Sequence, residues 1–230
     1  MAEYNKVAVF DIDGTIFRSS LLIELVEVLI DEGIFNPKTR LQYVRAEQNW
    51  LDRKGTYEDY VNSVVKVFST NIKGVHYGDF DKAAKIVIAR NKDHTYHYTR
   101  KLAETLKKKG YFLLAISHSP KGIVEPFAKR LGFDKTYGMF YELGPSDKFN
   151  GKIVDEHLIR NKANILKRAV QKENLTLEKS IGVGDTESDI PIFELVDTPI
   201  CFNPNMALYR HAKRNKWKIV VERKDVIYEL

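Results

Sequence analysis

The sequence predicts an α/β chain: a parallel sheet with helices on its faces, interrupted by an inserted, all-helical segment. Three observations lead there. Short apolar runs recur along the chain, several of them ending abruptly at a polar residue. Helix-like segments separate most of these runs, the alternation expected of parallel strands joined by crossover helices. From residue 17 to about residue 96 that alternation stops, and helical patterns take over.

The first run, Lys6-Val7-Ala8-Val9-Phe10, is β-branched and apolar and stops at Asp11. An apolar run without alternation fits a strand buried on both faces. Ser20 then offers a cap for a helix running to Asp31, with Gly33 as its stop. Further helical patterns fall around 38–53, 56–69 and 79–92. The boundaries near Phe17 and Tyr96 are the expected hinges. This assigns residues 1–16 and 97–230 to a core and residues 17–96 to a helical cap.

Beyond the insertion, Tyr111 to Ile116 ends at Ser117, and Ser180 to Val183 ends at Gly184-Asp185. Ile200-Cys201-Phe202 and Lys218 to Val221 supply the last strand runs, with helical segments near 121–131, 158–173, 187–195 and 205–215. Between 136 and 154, Tyr137-Gly138-Met139-Phe140-Tyr141 and Gly151-Lys152-Ile153-Val154 flank a polar turn, which reads as a β-hairpin flap on the core. In parallel sheets ligands gather beyond the carboxyl ends of the strands. Asp11, Ser117 and Asp185 all fall at that edge.

The composition, 43% hydrophobic and 30% charged over 230 residues, is ordinarily globular. A chain this long buries roughly 70% or more of its unfolded surface and needs no disulfides or structural metals. Cys201 is the only cysteine. It cannot pair within the chain, which suits a reducing compartment. The start, MAEYNKVAVFD, lacks the basic residues and long apolar run of a signal peptide. The longest apolar stretch, Leu21 to Ile30, contains Glu24 and Glu27 and is shorter than the ~20 residues a bilayer span takes. A cytoplasmic protein with no membrane association is expected. The net charge of +6 lies largely beyond residue 100, notably in Lys107-Lys108-Lys109 and from Arg210 to Lys218. Basic surfaces attract nucleic acid or phosphorylated metabolites. Without interleaved aromatics, these stretches read first as solvated helix surface, and a nucleic-acid partner second.

Four elements carry chemistry. The first is Asp11-Ile12-Asp13-Gly14-Thr15 at a strand end. Phosphate-ester hydrolysis is so slow in water that enzymes accelerate such reactions by up to ~10²¹-fold. A carboxylate nucleophile that accepts the phosphoryl group divides that step into two. Asp11 would attack, while Asp13 protonates the leaving oxygen and later activates water. Gly14 permits the tight turn between them and the following chain. An ordinary Asp-Gly turn is the plain alternative.

The second element is Gly182-Val183-Gly184-Asp185-Thr186-Glu187-Ser188-Asp189. Mg²⁺ prefers oxygen ligands and usually takes one or two carboxylates plus substrate oxygens. Asp185 is the expected ligand, with Asp189 binding directly or through water. Both acids also suit a helix N-terminus. The third is Ser117-His118-Ser119-Pro120, where a hydroxyl and following amides make a phosphate cradle, or simply a turn. His118 borders that cradle as a candidate substrate contact. The fourth is a cation to balance the transferring phosphoryl group. Lys162 fits best, with Lys152 and Arg160 as rivals.

Together and in this order, DIDGT, a strand ending in Ser, a Lys and GVGDTESD resemble the haloacid dehalogenase superfamily of phosphohydrolases. The stretch from Gly182 to Val220 and the Ser-His-Ser-Pro turn look like its phosphoserine-phosphatase-like branch, which carries a helical cap after the first motif. The resemblance implies a Rossmann-like core and in-line attack by Asp11 on a small-molecule phosphate ester. It also implies Mg²⁺ held by the Asp11 carboxylate, the Asp13 backbone carbonyl and Asp185. Dehalogenases of the superfamily lack the second acid, so Asp13 points to phosphate chemistry. Phosphoserine phosphatases carry a glutamate for the substrate's amino group where this chain has Ser20. That argues against phosphoserine itself. Within the cap, Tyr43, Trp50, Tyr57, Tyr60 and Phe68 read as core packing rather than a stacking site. His94, Tyr96, His97 and Tyr98 read as packing at the return hinge.

Overall fold

The computed structural model describes residues 5–154 and 161–230. They group into two compact units: one of Met1–Arg18, Asp93–Met139 and Asp155–Leu230, the other of Ser19–Lys92 and Phe140–Val154.

The first unit is built on a seven-stranded sheet. On one side of it lie β1 (Asn5–Phe10), β2 (Phe112–Pro120) and β3 (Lys135–Met139), in the order β3-β2-β1. Next in the chain, β4 (Tyr141–Leu143) and β5 (Phe149–Ile153) pair antiparallel as a separate ribbon. The large sheet resumes beyond β1 with β6 (Leu175–Gly184), β7 (Thr198–Phe202), β8 (Lys218–Arg223) and β9 (Val226–Glu229), in that order. Its neighbours run parallel except for β8 and β9. The chain leaves β1 toward β2 and β3, then returns to place β6 against the other side of β1. Such a reversal opens a crevice between the two carboxyl ends, where ligands bind in parallel sheets.

Four helices belong to the second unit: α1 (Leu21–Asp31), α2 (Val44–Leu51), α3 (Tyr57–Asn71) and α4 (Tyr77–Asn91). The sheet unit carries α5 (His97–Lys108), α6 (Lys121–Arg130), α7 (Lys162–Lys172), the single turn α8 (Ile190–Phe193) and α9 (Met206–Asn215). Central burial is complete: Val7, Ala8, Val9 and Phe10 have no exposed surface. Val7 and Val9 share a cluster with Leu166 and Ala169 of α7, Phe193 of α8 and Leu208 of α9. Phe10 instead meets Phe133 edge-on, with ring centres 5.6 Å apart. Each large apolar side chain so buried contributes about 1.5–3 kcal/mol.

The second unit is closed by aromatic packing. Phe68 of α3 meets Tyr141 at 5.2 Å, and Phe80 of α4 meets Phe149 at 5.3 Å between ring centres. The α3–α4 connection hydrogen-bonds to β5 through Gly74 N to Phe149 O (2.8 Å) and Phe149 N to Val75 O (3.0 Å). The 140–154 hairpin therefore groups with the helices, whereas the sequence reading put it on the core. That reading also joined two different elements. Residues 135–139 form β3 of the large sheet, and the ribbon starts only at Tyr141. Gly138 shows why β3 belongs there: a Cβ at this position would lie 2.8 Å from Lys121 Cα and 2.9 Å from Ser119 O. Tyr43, Tyr60 and Phe68 are buried, as cap-core packing requires, whereas Trp50 and Tyr57 are only half-buried and pack on each other at 5.3 Å between ring centres.

Candidate active site

The Asp11 amide donates to Val183 O of β6 at 2.9 Å, tying the end of β1 to its neighbour. After Asp11 the chain closes on itself, with Ile16 N and Phe17 N both donating to Ile12 O (2.9 and 2.8 Å). Gly14 adopts φ +76°, and a Cβ there would stand 2.2 Å from Asp185 Oδ2. Only glycine meets both demands, the left-handed backbone and the close approach of a carboxylate. Asp11 itself is 6% exposed.

Asp185 and Asp189 sit on the turn that follows β6. Asp189 Oδ2 accepts from the amides of Asp185 (3.1 Å) and Thr186 (3.2 Å), so this carboxylate braces the turn from within. Gly184 lacks the Cβ that would lie 2.4 Å from the same carboxylate. Lys162, at the start of α7, is 3% exposed. Its ammonium donates to Asp11 Oδ1 at 2.6 Å and to Asp189 Oδ1 at 2.7 Å. The Asn161 side chain caps α7 by accepting from Ala163 N, which sets Lys162 in the first turn.

Ser117 is fully buried within β2, which runs on to Pro120 rather than stopping at Ile116. Its hydroxyl donates to Asp13 Oδ2 at 2.6 Å and accepts from Ser119 N at 2.9 Å. His118, between these serines, is exposed. Lys152, a sequence-level rival to Lys162, is exposed on β5 of the other unit. Arg160 lies outside the described residues.

The electrostatics follow from crowding. Burial pushes the Asp11 carboxyl up to about 7, with the charges of Asp189 and Asp13 adding to it against Lys162. Burial likewise holds Asp185 well above the usual carboxylate range, with Asp11 and Asp189 adding to it. For Lys162, burial works against the charge, yet Asp11 and Asp189 outweigh it and hold the ammonium above its ordinary range. Asp11, Asp185 and Asp189 each offer a carboxylate oxygen within 4.8 Å of the others. This all-oxygen set suits a hard dication, which would favour the ionised acids. Asp189 is the least available member, because its two oxygens already serve Lys162 and the two amides.

Sequence reasoning did not single out Thr15 or Thr99. The Thr15 hydroxyl donates to Asp185 Oδ1 at 3.0 Å, and the buried Thr99 hydroxyl donates to Thr15 O at 2.8 Å. Thr15 stands inside the DIDGT motif, where its position was a usable signal. Thr99 gave none, since one threonine near a helix start is commonplace. Of the return-hinge aromatics, Tyr96 packs edge-on against Phe202 at 4.9 Å between ring centres, and Tyr98 stacks on the same ring at 5.9 Å.

A family model for haloacid dehalogenase-like hydrolases matches residues 8–194. The chain belongs to this family. This hydrolase is 24% identical over 223 residues to the phosphoserine phosphatase SerB1 of Mycobacterium tuberculosis, covering 94% of this chain and 71% of that protein. It is 21% identical over 228 residues to the histidinol-phosphatase of Neisseria meningitidis serogroup C, covering 94% and 98%. Among solved structures, a phospho-aspartyl intermediate analogue of phosphoserine phosphatase superposes with a TM-score of 0.64 at 22% identity, covering 97% of this chain and 96% of that one. The hydrolase thus has the α/β fold of its phosphatase relatives. Among the described residues, no helix is long and apolar enough to cross a membrane.

Proposed function

We propose that this enzyme is a Mg²⁺-dependent phosphomonoesterase that works through an aspartyl phosphate on Asp11. The observation that carries this reading is the convergence of Asp11, Asp185, Asp189 and Lys162 at the carboxyl ends of β1 and β6, with Asp13 two residues beyond Asp11 and bonded to Ser117. An Asp11 carboxylate oxygen attacks phosphorus, and the bond from phosphorus to the ester oxygen breaks. Asp13, protonated, gives its proton to the departing alcohol oxygen. Now ionised, Asp13 takes a proton from a water molecule whose oxygen attacks the same phosphorus. The bond to Asp11 breaks, inorganic phosphate leaves, and both acids are restored.

Other side chains hold this chemistry in place. Ser117, bonded to Asp13 at 2.6 Å, fixes the acid's direction. Its hydroxyl would turn from Asp13 to the phosphate when substrate binds, and Gly14 and His118 are the proposed further phosphate contacts. Lys162 balances charge on Asp11 and on the phosphoryl group. The Asp11 carboxylate, the Asp13 carbonyl and Asp185 are the proposed Mg²⁺ ligands, with Asp189 behind them. Bound there, the ion would supply positive charge to the phosphoryl oxygens and would favour the ionised form of Asp11.

The substrate class we infer is a small phosphorylated metabolite. Relatives named for phosphoserine and for histidinol phosphate support it. Ser20, buried at the α1 cap position, offers no negative charge for an amino group and speaks against phosphoserine. The basic stretches lend a nucleic-acid end little support, since Lys107 is paired with Asp134 and Lys218 with Glu229. A cytoplasmic setting suits the lone Cys201. The test is release of phosphate from an aryl phosphate with and without Mg²⁺. Wild-type activity that needs Mg²⁺ and disappears in Asp11→Asn supports the reading; an Asp11→Asn enzyme as active as wild type overturns it.

A further inference from the structure

Asp185 is not oriented by its own turn alone. The Thr15 hydroxyl donates to Asp185 Oδ1 at 3.0 Å, and the Thr99 hydroxyl donates to the Thr15 carbonyl at 2.8 Å. Thr15 and Thr99 are both fully buried. A threonine in the first turn of a helix has no preceding turn of that helix to which its hydroxyl could return. Thr99, in the first turn of α5, sends it instead across to the loop after Asp11.

That first turn is held from two sides. Glu222 of β8 accepts from His97 N at 3.0 Å and Tyr98 N at 2.8 Å, one oxygen for each amide. Glu222 N in turn donates to Asn203 Oδ1 at 2.9 Å. Tyr96 N donates to Ile16 O at 2.9 Å, and Arg18 N to His94 O at 3.1 Å. The Thr99 hydroxyl is therefore presented by a fixed helix end to a fixed loop. Removing its donor leaves the buried Thr15 carbonyl without this bond, and the loop must shift to find another partner.

We infer that Thr99 is a positioning residue for Asp185, acting through Thr15 to set the affinity for Mg²⁺. This rests on the metal site proposed above. Partners that orient metal ligands typically account for about 10–100-fold in metal affinity when removed. Thr99 touches neither substrate nor metal, so its contribution passes through the Thr15 hydroxyl.

The experiment measures Mg²⁺ binding by isothermal titration calorimetry on wild type, Thr99→Val, Thr99→Ser, Thr15→Val and Asp185→Asn, with urea unfolding in EDTA as the measure of fold. Thr99→Val is expected to bind Mg²⁺ about 10-fold more weakly, and Thr99→Ser to recover wild-type binding. In the Thr15→Val background, adding Thr99→Val is expected to change nothing further, because the relay is already cut. A Thr99→Val protein that binds Mg²⁺ like wild type overturns the inference, even if its stability falls. So does an undiminished Thr99→Val effect in the Thr15→Val background. If Thr99→Val does not fold, Thr99→Ala against Thr99→Ser makes the same comparison. Wild-type protein that binds no Mg²⁺, or binding untouched by Asp185→Asn, overturns the metal site itself and the relay with it.

Discussion

The ammonium of Lys162 lies 2.6 Å from Asp11 Oδ1, and the same nitrogen lies 2.7 Å from Asp189 Oδ1. Lys162 thereby links the end of β1 to the turn after β6. Asp189 ties that contact to the backbone by accepting from two amides of its own turn. Charge neutralisation and loop geometry are consequently properties of the same buried ion-pair network.

Lys162→Met keeps most of the side-chain volume and removes the charge. Breaking a buried pair by deleting one partner typically costs roughly 3–5 kcal/mol, because the other charge stays buried. Urea unfolding in EDTA is expected to report a loss of that order, and saturating Mg²⁺ to restore part of it. An unchanged midpoint would mean that the acids do not need this ammonium.

Gly14→Ala puts a methyl group 2.2 Å from Asp185 Oδ2 on a backbone at φ +76°. The strain, on the order of 1–3 kcal/mol, is relieved only if the carboxylate moves. Misplacing a catalytic group by about 1 Å can cost 10²-fold, and aryl phosphatase activity is expected to fall by about that factor. Steady-state kinetics across a Mg²⁺ titration should show a raised metal requirement as well.

Mg²⁺ is expected to stabilise the fold because it binds a site that the unfolded chain does not assemble. At a free concentration 100 times its dissociation constant, the gain is about 2.7 kcal/mol. Thermal unfolding with and without EDTA measures it. Asp185→Asn should abolish the difference between the two curves.

Cys201 is fully buried in β7, where burial first, and the Asp189 charge second, push its thiol up to about 12. A thiol reacts through its thiolate. Native protein at pH 8 is expected to be inert to an aromatic disulfide reagent and to show a single thiol after denaturation. Rapid native labelling would mean that β7 opens readily.

How much of this was legible in the sequence depends on what each residue had to do. Phe10 to Asp11 and Val183 to Asp185 are abrupt changes from apolar to polar, because a strand buried on both faces must stop where its side chains meet solvent or ligand. Lys162 was legible as a basic residue opening a helix, though Lys152 and Arg160 stayed rivals until its contacts with Asp11 and Asp189 were seen. β9 went unread although Val226-Ile227-Tyr228 is apolar: the strand is four residues long at the sheet edge, and all four are exposed, so no burial alternation accompanies the run. Residues 137–141 read as one run because periodicity cannot see that Met139 and Tyr141 pair in different sheets. The Thr99 contact joins positions 84 residues apart through a backbone carbonyl, which no local pattern encodes.

The hairpin at 140–154 has a consequence for anyone wishing to exchange the helical unit of this enzyme for another. The helical unit is not one insert but two, and its aromatic interior is shared between them. Excising residues 19–92 alone would strand Tyr141 and Phe149 without Phe68 and Phe80, leaving a greasy ribbon prone to self-association. A working graft must carry both pieces from the same donor, and a recombination library should treat them as a single inherited cassette.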